Sequence, residues 1–354
     1  MEPGADKGAS MEAGDPGEVI EPSEGAEGAD RPPKGHGKGP SKGLVIATAV
    51  IAAIALCIVV VMAVMLGVGS ASLHRPYEGK GTVMHDGMAY RFNESMVSVC
   101  IMGHDRGVST EEQGQADVIM VYALDTETGE SRLIVIPRNS EVEIPIYING
   151  DLVGMEQNQI CLAYAYGTDD AMSSEIVTEV ASDTLYRIPL GFYYTVSMEA
   201  FVALTDEVGG VTVTALETIP GTDIREGEEV TLAGSEAFDY VRWRDPSVFE
   251  SPLQRQRRQV QVLQALFEKV SSAAQANPLS MLGAYDALSP YATTDLGSPE
   301  VLYLLSVFAS KGIRMPDVIS LEGRMVEAGE YQEYVLDEDQ VLRTVLDTYF
   351  VPEG

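Results

Sequence analysis

Positive charge is scarce in this chain. Across 354 residues there are 23 lysines and arginines against 54 acids, a formal net charge of −31. A nucleic-acid binder needs a basic footprint to neutralise phosphates, so that class is excluded. Between Gly81 and Glu268 there is no lysine at all, although eleven arginines occur there. Cysteine is equally sparse, and three cysteines build neither a disulfide scaffold nor a zinc cluster. Cys57 lies in an apolar run. Cys100 and Cys161 also sit in apolar stretches, which leaves a bridge outside the cell and two buried thiols as equal alternatives. His85 and His104 are the only histidines between Gly81 and Glu268. With no Gly-x-Ser-x-Gly elbow and no His-Glu-x-x-His helix, triad hydrolysis and zinc catalysis lack their residues.

What is present begins with a tail. Residues 1–42 are rich in Gly, Pro, Ala and Glu; the first thirty carry nine acids and one lysine, after which Arg31, Lys34, Lys38 and Lys42 follow. Such text cannot bury enough apolar surface to fold and reads as a disordered cytoplasmic tail. From Leu44 to Leu66 run 23 residues whose only clearly polar member is Thr48. A helix of that length crosses a hydrocarbon core of about 30 Å, so residues 43–68 are expected to form a transmembrane helix. The run is too long, and too far from the N-terminus, for a cleaved signal peptide. Four basic residues precede it, against Arg75 and Lys80 just after, which orients the N-terminus to the cytoplasm. Residues 69–96 are then an extracytoplasmic linker and 97–350 an extracytoplasmic domain.

That domain reads as α/β. Val97–Met102, Val118–Leu124 and Leu133–Ile136 are apolar runs bounded by Gly, Asp and Pro, as buried strands are. Ala171–Leu185, Ser197–Val208, Gln254–Val270, Pro299–Ala309 and Asp337–Tyr349 read as helices; Val211–Thr214 returns as a strand. Ser235–Tyr240 reads as a short helix feeding a strand over Tyr240–Arg244. The expected architecture is α-β-α layered, a mixed sheet flanked by helices on both faces.

The arginines are unevenly placed. Arg242 and Arg244 flank Trp243, and on a strand they would share one face. On the following helix Arg255, Arg258, Gln259 and Val262 fall on one stripe, while Arg257 points away. Four arginines converging near a helix start suit phosphate oxygens, which accept from a planar fork. The alternative is surface pairing with Asp239, Asp245 and Glu250. A second constellation is Asp105, in the loop after the first strand, with Asp117 opening the next. Two aspartates completed by substrate phosphate are a usual setting for Mg²⁺, and equally two solvated loop acids. Ile136-Pro-Arg138-Asn139-Ser140 puts a further arginine at a strand end.

Taken in order, these motifs resemble the LytR–CpsA–Psr family of bacterial cell-wall enzymes. The series comprises Gly103–Asp105, Ala116-Asp-x-x-Met120, Ile136-Pro-Arg138 and Ala163-Tyr-Ala-Tyr-Gly167. It continues through Ile188-Pro…Tyr193-Tyr194…Phe201 to Gly-Gly-Val-Thr-Val213, then Leu232-x-Gly-x-x-Ala-x-x-Tyr-Val-Arg-x-Arg244 and Arg255-x-x-Arg-Gln259. The resemblance implies a membrane-anchored phosphotransferase that moves an anionic glycopolymer, such as teichoic acid or capsule, from a polyprenyl-pyrophosphate carrier to peptidoglycan. It also implies Mg²⁺ held by Asp105 and Asp117. Arg138, Arg242, Arg244, Arg255, Arg258 and Gln259 would hold the pyrophosphate, with Arg138, Arg242 and Arg244 catalytic, and an apolar pocket would take the lipid tail. Membrane lipid and peptidoglycan are the implied partners, nucleic acid is not.

The chain departs from the pattern at four places. Gln115 stands where the family usually has Arg, Asn139 where it has Asp, Cys161 where it has Asn, and Pro252-Leu-Gln254 where it has Asp-Phe-Gly. These departures keep two other readings in view, a polyprenyl-pyrophosphate hydrolase and a weakly catalytic lipid-binding or regulatory envelope protein.

Overall fold

The structure, a computed structural model, describes residues 42–79, 82–105, 114–245, 247–249, 251–276, 289–312, 314–328 and 331–353. The expected tail therefore lies outside the described residues except for Lys42. The chain divides into two units, Met1–Leu56 and Cys57–Gly354, and the sheet, its helices and the site belong to the second.

Helix α1 runs Lys42–Leu73 and contains the apolar run expected to cross a membrane. The side chains of residues 42–55 and 58 fall outside those described. Among the described residues no helix is long and apolar enough to cross a membrane.

Two short strands, β1 Val83–His85 and β2 Met88–Phe92, follow in sequence, and then the long β3 Met96–His104. The stretch 69–96 is thus more than a linker. β1 and β2 form a hairpin through Asp86-Gly87, both at positive φ (48° and 77°), the geometry that Asp-Gly turns adopt readily. β2 then pairs antiparallel with the C-terminal strand.

The main sheet is built from β3, β4 (Ala116–Asp125) and β5 (Ser131–Val135), antiparallel in that order. After β5 come hairpin strands β6 (Glu141–Ile148) and β7 (Asp151–Gln159), a 3₁₀ helix over Ile160–Tyr166 and helix α2 (Asp170–Thr184). Strand β8 (Tyr193–Ser197) returns parallel to β3, followed by α3 (Met198–Glu207). Strands β9 (Val211–Thr214) and β10 (Glu229–Leu232) pair with each other and lead to α4 (Gly234–Arg242) and α5 (Ser251–Ala276). Beyond the segment 277–288 lie β11 (Ala292–Thr294), α6 (Ser298–Lys311) and β12 (Asp317–Ser320). The hairpin β13 (Gly323–Ala328) with β14 (Tyr331–Leu336), α7 (Glu338–Tyr349) and β15 (Phe350–Glu353) complete the chain. The sheet order is β11-β8-β3-β4-β5-β12, with parallel pairs β3/β8 and β5/β12, so it is mixed as expected.

Alternation along β3 and β4 divides the core in two. Cys100, Met102, Ile119 and Val121 face α2 and α7, whose Ile176, Val180, Val345 and Tyr349 recur at helical spacing. The opposite residues, Val97, Val99, Leu124, Met120 and Leu133, face α6 and α5 through Val307, Phe308, Val260 and Leu263. Because both faces are covered, the central strands read as unbroken apolar runs, which is why sequence located them. Asp169 caps α2 by accepting from Met172 N, and Asp337 caps α7 by accepting from Gln340 N.

One expected strand is a helix. Tyr240–Arg242 ends α4, because Ala237, Tyr240 and Val241 bury one helical face; only at Trp243 does the chain turn extended (ψ 142°). Cys100 and Cys161 are both buried free thiols, which settles the alternative left open by sequence. Burial pushes the Cys100 thiol up to about 12, opposed by a hydrogen bond to Thr178. The fold therefore favours the protonated thiol. That contribution is complete below the ordinary thiol pKa of about 8.5 and is lost as pH rises toward the folded value. Maleimide labelling of Cys100 at pH 8 is expected only after denaturation.

Gly167 marks a close approach. A Cβ there would lie 2.3 Å from the backbone nitrogen of Ser173 in the first turn of α2. Gly167→Ala is expected to destabilise the domain by about 1–3 kcal/mol, measured as a lowered denaturation midpoint.

Candidate active site

The C-terminal end of β3, the start of β4 and the exit from β5 lie side by side in the sheet, and that edge gathers the charged residues. His104 ends β3 against Ala116, the first residue of β4. Asp105 follows and is locked to β4 by a reciprocal pair. Its Oδ1 accepts from Gln115 N at 2.7 Å, and its own N donates to Gln115 O at 3.2 Å. Asp117 is the second residue of β4 and Gln115 immediately precedes the strand; the side chains of both meet Arg138.

The Pro137-Arg138 exit from β5 turns Arg138 back over this edge. Its Nη1 pairs with Asp117 Oδ1, and its Nη2 donates to Gln115 Oε1 and, at 3.1 Å, to Cys161 Sγ. Its Nε is buried with no hydrogen-bond partner among the described residues. From the other side α5 supplies Arg255, whose Nη2 lies 3.7 Å from Asp117 Oδ1. Arg138, Arg255 and Asp117 are all shielded, with side chains 19%, 10% and 12% exposed.

The electrostatics of the cluster are unbalanced toward positive charge. Burial depresses the Arg255 guanidinium below its ordinary pKa; Asp117 opposes this, while Arg138 and Arg244 depress it further. Arg138 is held above its ordinary value, because Asp117, Cys161 and Asp105 together outweigh the effect of burial. Both arginines stay charged at any physiological pH. Arg138 and Arg255 thus converge on Asp117, with Arg244 close to Arg255, and an arriving anion would relieve the mutual repulsion of these guanidinium groups.

The remaining expected residues divide. Arg244 is exposed and close enough to Arg255 to act on it electrostatically. Arg242 ends α4 exposed, with its guanidinium 5.4 Å from the Phe238 ring centroid. Gln259 donates to Val241 O at 3.4 Å and lines an apolar cavity beside the cluster. Arg258 is turned inward. Its side chain is 1% exposed, its Nε donates to Tyr240 O at 2.8 Å, its Nη2 donates to Trp243 O, and its Nη1 pairs with Glu217. The helical stripe is as expected, but its Arg258 segment faces the α4 terminus and not the cleft. Burial pushes Arg258 down to about 10.

The cavity is about 120 Å³ and is lined by Met102, Gly103, Val118, Phe201 and Leu263 among others. Its lining joins β3, one residue before His104, to α5, four residues after Arg255. An apolar slot therefore lies about one turn along α5 from Arg255. Neither Gln115 nor Cys161 was assigned a contact from sequence, although both were noted as departures; the hydrogen bonds to Arg138 give them their place.

Among the described residues no group of three or more His, Cys, Asp or Glu side chains gathers. A cation here would rest on Asp105 and Asp117, with other oxygens from water or ligand. Two hard carboxylates and open positions fit Mg²⁺, which keeps several waters and takes phosphate oxygens.

Comparison with known proteins agrees with the motif series. The LytR_cpsA_psr family description matches residues 71–347. TagV of Bacillus subtilis, a polyisoprenyl-teichoic acid–peptidoglycan teichoic acid transferase, is 26% identical over 250 residues, covering 68% of this chain and 60% of that protein. TagU of Bacillus mycoides, of the same description, is 35% identical over 182 residues, covering 50% and 53%. The chain thus spans between about half and two thirds of the length of these two relatives. The crystal structure of B. subtilis TagV superposes with a TM-score of 0.58 at 25% identity, covering 72% of this chain and 97% of that one. The structure of TagT bound to LIIa-WTA, at 20% identity and TM-score 0.54, shares the fold.

Proposed function

Because the chain belongs to the LytR–CpsA–Psr family, we propose that it is a phosphotransferase moving an anionic glycopolymer from a polyprenyl-pyrophosphate carrier to peptidoglycan. The observation that carries this reading is the meeting of Arg138 and Arg255 on Asp117, with Arg244 close to Arg255 and an apolar slot about one turn further along α5. A charged clamp joined to a hydrocarbon slot matches a substrate that is a pyrophosphate at one end and a lipid at the other. The slot is small and takes the first part of the lipid chain, not the whole of it.

Attack of a sugar hydroxyl on phosphorus builds charge on the equatorial and leaving oxygens. Fixed guanidinium groups in a shielded site stabilise that charge without reorganising. Arg255 and Arg244 approach from α5 and the loop before it, and Arg138 from the sheet, so the phosphates are held from two sides. The Nε of Arg138, without a hydrogen-bond partner among the described residues, is the donor left for an incoming oxygen. Asp105 and Asp117 are the residues that would hold Mg²⁺, which supplies charge neutralisation at the phosphates when bound. Arg258 and Glu217 act as scaffold, fixing the turn from which Arg242 and Arg244 project. Helix α1 serves as the membrane anchor, with the tail cytoplasmic and the domain extracytoplasmic, so that the site stays beside a lipid that cannot leave the bilayer.

The relatives named as teichoic acid transferases support transfer over hydrolysis. The test follows the fate of the polymer. The full-length chain in detergent is given a polyprenyl-pyrophosphate-linked glycopolymer labelled in the sugar, with sacculi as acceptor. Label moving into the sacculi supports the ligase; label released as free polymer at the same rate without acceptor would make the protein a hydrolase.

Placing a charge in the slot tests its role. Leu263→Lys is expected to raise KM for the long-chain lipid substrate about tenfold or more, since burying an ammonium there is costly. A water-soluble pyrophosphate sugar without lipid should be much less affected.

A further inference from the structure

Gln115 touches both halves of the phosphate site. Its side-chain carbonyl accepts from Arg138 Nη2, where Cys161 Sγ also accepts at 3.1 Å, while Asp117 takes Nη1. The guanidinium is therefore held at three points and cannot swing freely in its plane. Through its backbone the same residue fixes Asp105, donating to Oδ1 at 2.7 Å and accepting from the Asp105 nitrogen at 3.2 Å.

Resting on the function proposed above, we infer that Gln115 is a positioning residue that sets Arg138 against Asp117 and ties that pair to Asp105. The neutrality of the amide matters to this role. A carboxylate at 115 would hold Arg138 equally well but cancel its charge, while an apolar side chain would leave Nη2 short of an acceptor in a shielded place. Cys161 completes the arrangement on the same terms. Burial keeps its thiol above the ordinary pKa even though Arg138 works the other way, so the second acceptor is neutral as well. The guanidinium is thus oriented by neutral acceptors and keeps its charge for an incoming anion, with Asp117 as its one charged hydrogen-bond partner among the described residues.

The two ways of disturbing Gln115 have different kinetic signatures. Gln115→Leu removes the acceptor and lets Arg138 move, so kcat is expected to fall about tenfold to a hundredfold, the usual worth of a hydrogen bond to a charged group. Gln115→Glu keeps the acceptor but weakens attraction for phosphate, so KM should rise about tenfold while kcat changes less. A purely structural role would lower the melting temperature and diminish both parameters together in both variants.

The experiment uses the full-length chain in detergent, measuring kcat and KM with a polyprenyl-pyrophosphate glycopolymer and the affinity for inorganic pyrophosphate by calorimetry. The split described, with melting temperatures within about 2 °C of wild type, supports the inference. Wild-type kinetics in Gln115→Leu, or parallel losses that track a lowered melting temperature, overturn it. If the wild-type chain neither turns over nor binds pyrophosphate, the proposed function itself fails and takes this inference with it. That outcome is distinct from a working enzyme indifferent to Gln115.

Discussion

Arg138→Ala is expected to lower turnover of a polyprenyl-pyrophosphate substrate by about 10³-fold or more, the range seen when an arginine that neutralises a transferring phosphoryl group is lost. The expectation follows from where the side chain sits. Among the described residues Arg138 is the only arginine that reaches the cluster from the sheet, and it is the one in direct contact with Asp117. Its removal leaves Asp117 with Arg255 alone, at 3.7 Å. Arg138→Lys should recover only part of the loss, since an ammonium cannot span Asp117, Gln115 and Cys161 at once as the fork does. The loss should appear mainly in kcat, because Arg255 and Arg244 still attract the anion in the ground state. An Arg138→Ala enzyme retaining a tenth of wild-type kcat would place the decisive charge elsewhere.

Arg258→Ala is expected to be the most destabilising of the arginine substitutions, by about 3–5 kcal/mol. The side chain is among the largest of the fully buried ones, and every contact it makes is internal. Truncation leaves Glu217 without its cation, and leaves the Tyr240 and Trp243 carbonyls without their donors. It also opens space beside Tyr240 and Trp243, whose ring centroids lie 5.9 and 5.4 Å from the guanidinium carbon. By contrast, Arg257→Ala on the exposed side of the same helix should change stability by less than about 0.5 kcal/mol. Denaturant midpoints for the two variants measure the contrast directly. A pairing term between Arg258 and Glu217 should appear in a double-mutant cycle, because the two removals share one interaction.

The contrast between Arg255 and Arg258 shows where sequence stops being informative. Their spacing put both on one helical stripe, and both are indeed buried on it. The stripe, however, faces the cluster at one turn and the end of α4 at the next, and nothing in helical periodicity separates these. The core strands β3, β4 and β5 were legible because two covered faces demand continuous apolar text. The hairpins β6–β7 and β13–β14 were not, since one-sided or exposed strands such as β7 carry mixed polar residues that resemble loops. β1 and β2 were hidden for a related reason: they are short, and β2 is held by pairing with β15 more than 250 residues away, β1 only through β2. The Tyr240–Arg244 strand failed because an alternation of only five residues fits the last turn of a helix equally well. Among site residues, the aspartates and Arg138 stood out by motif order. The contacts of Gln115 and Cys161 depend on how three strand ends align, which only the folded sheet determines.

The most direct test of the account is release of polyprenyl phosphate from a polyprenyl-pyrophosphate glycopolymer by the full-length chain with sacculi as acceptor, with and without Mg²⁺, beside Asp117→Ala. Metal-dependent release that is abolished by Asp117→Ala is the predicted result. Saturable binding of the lipid with no release in the wild-type protein, or release indifferent to both Mg²⁺ and Asp117, would contradict it.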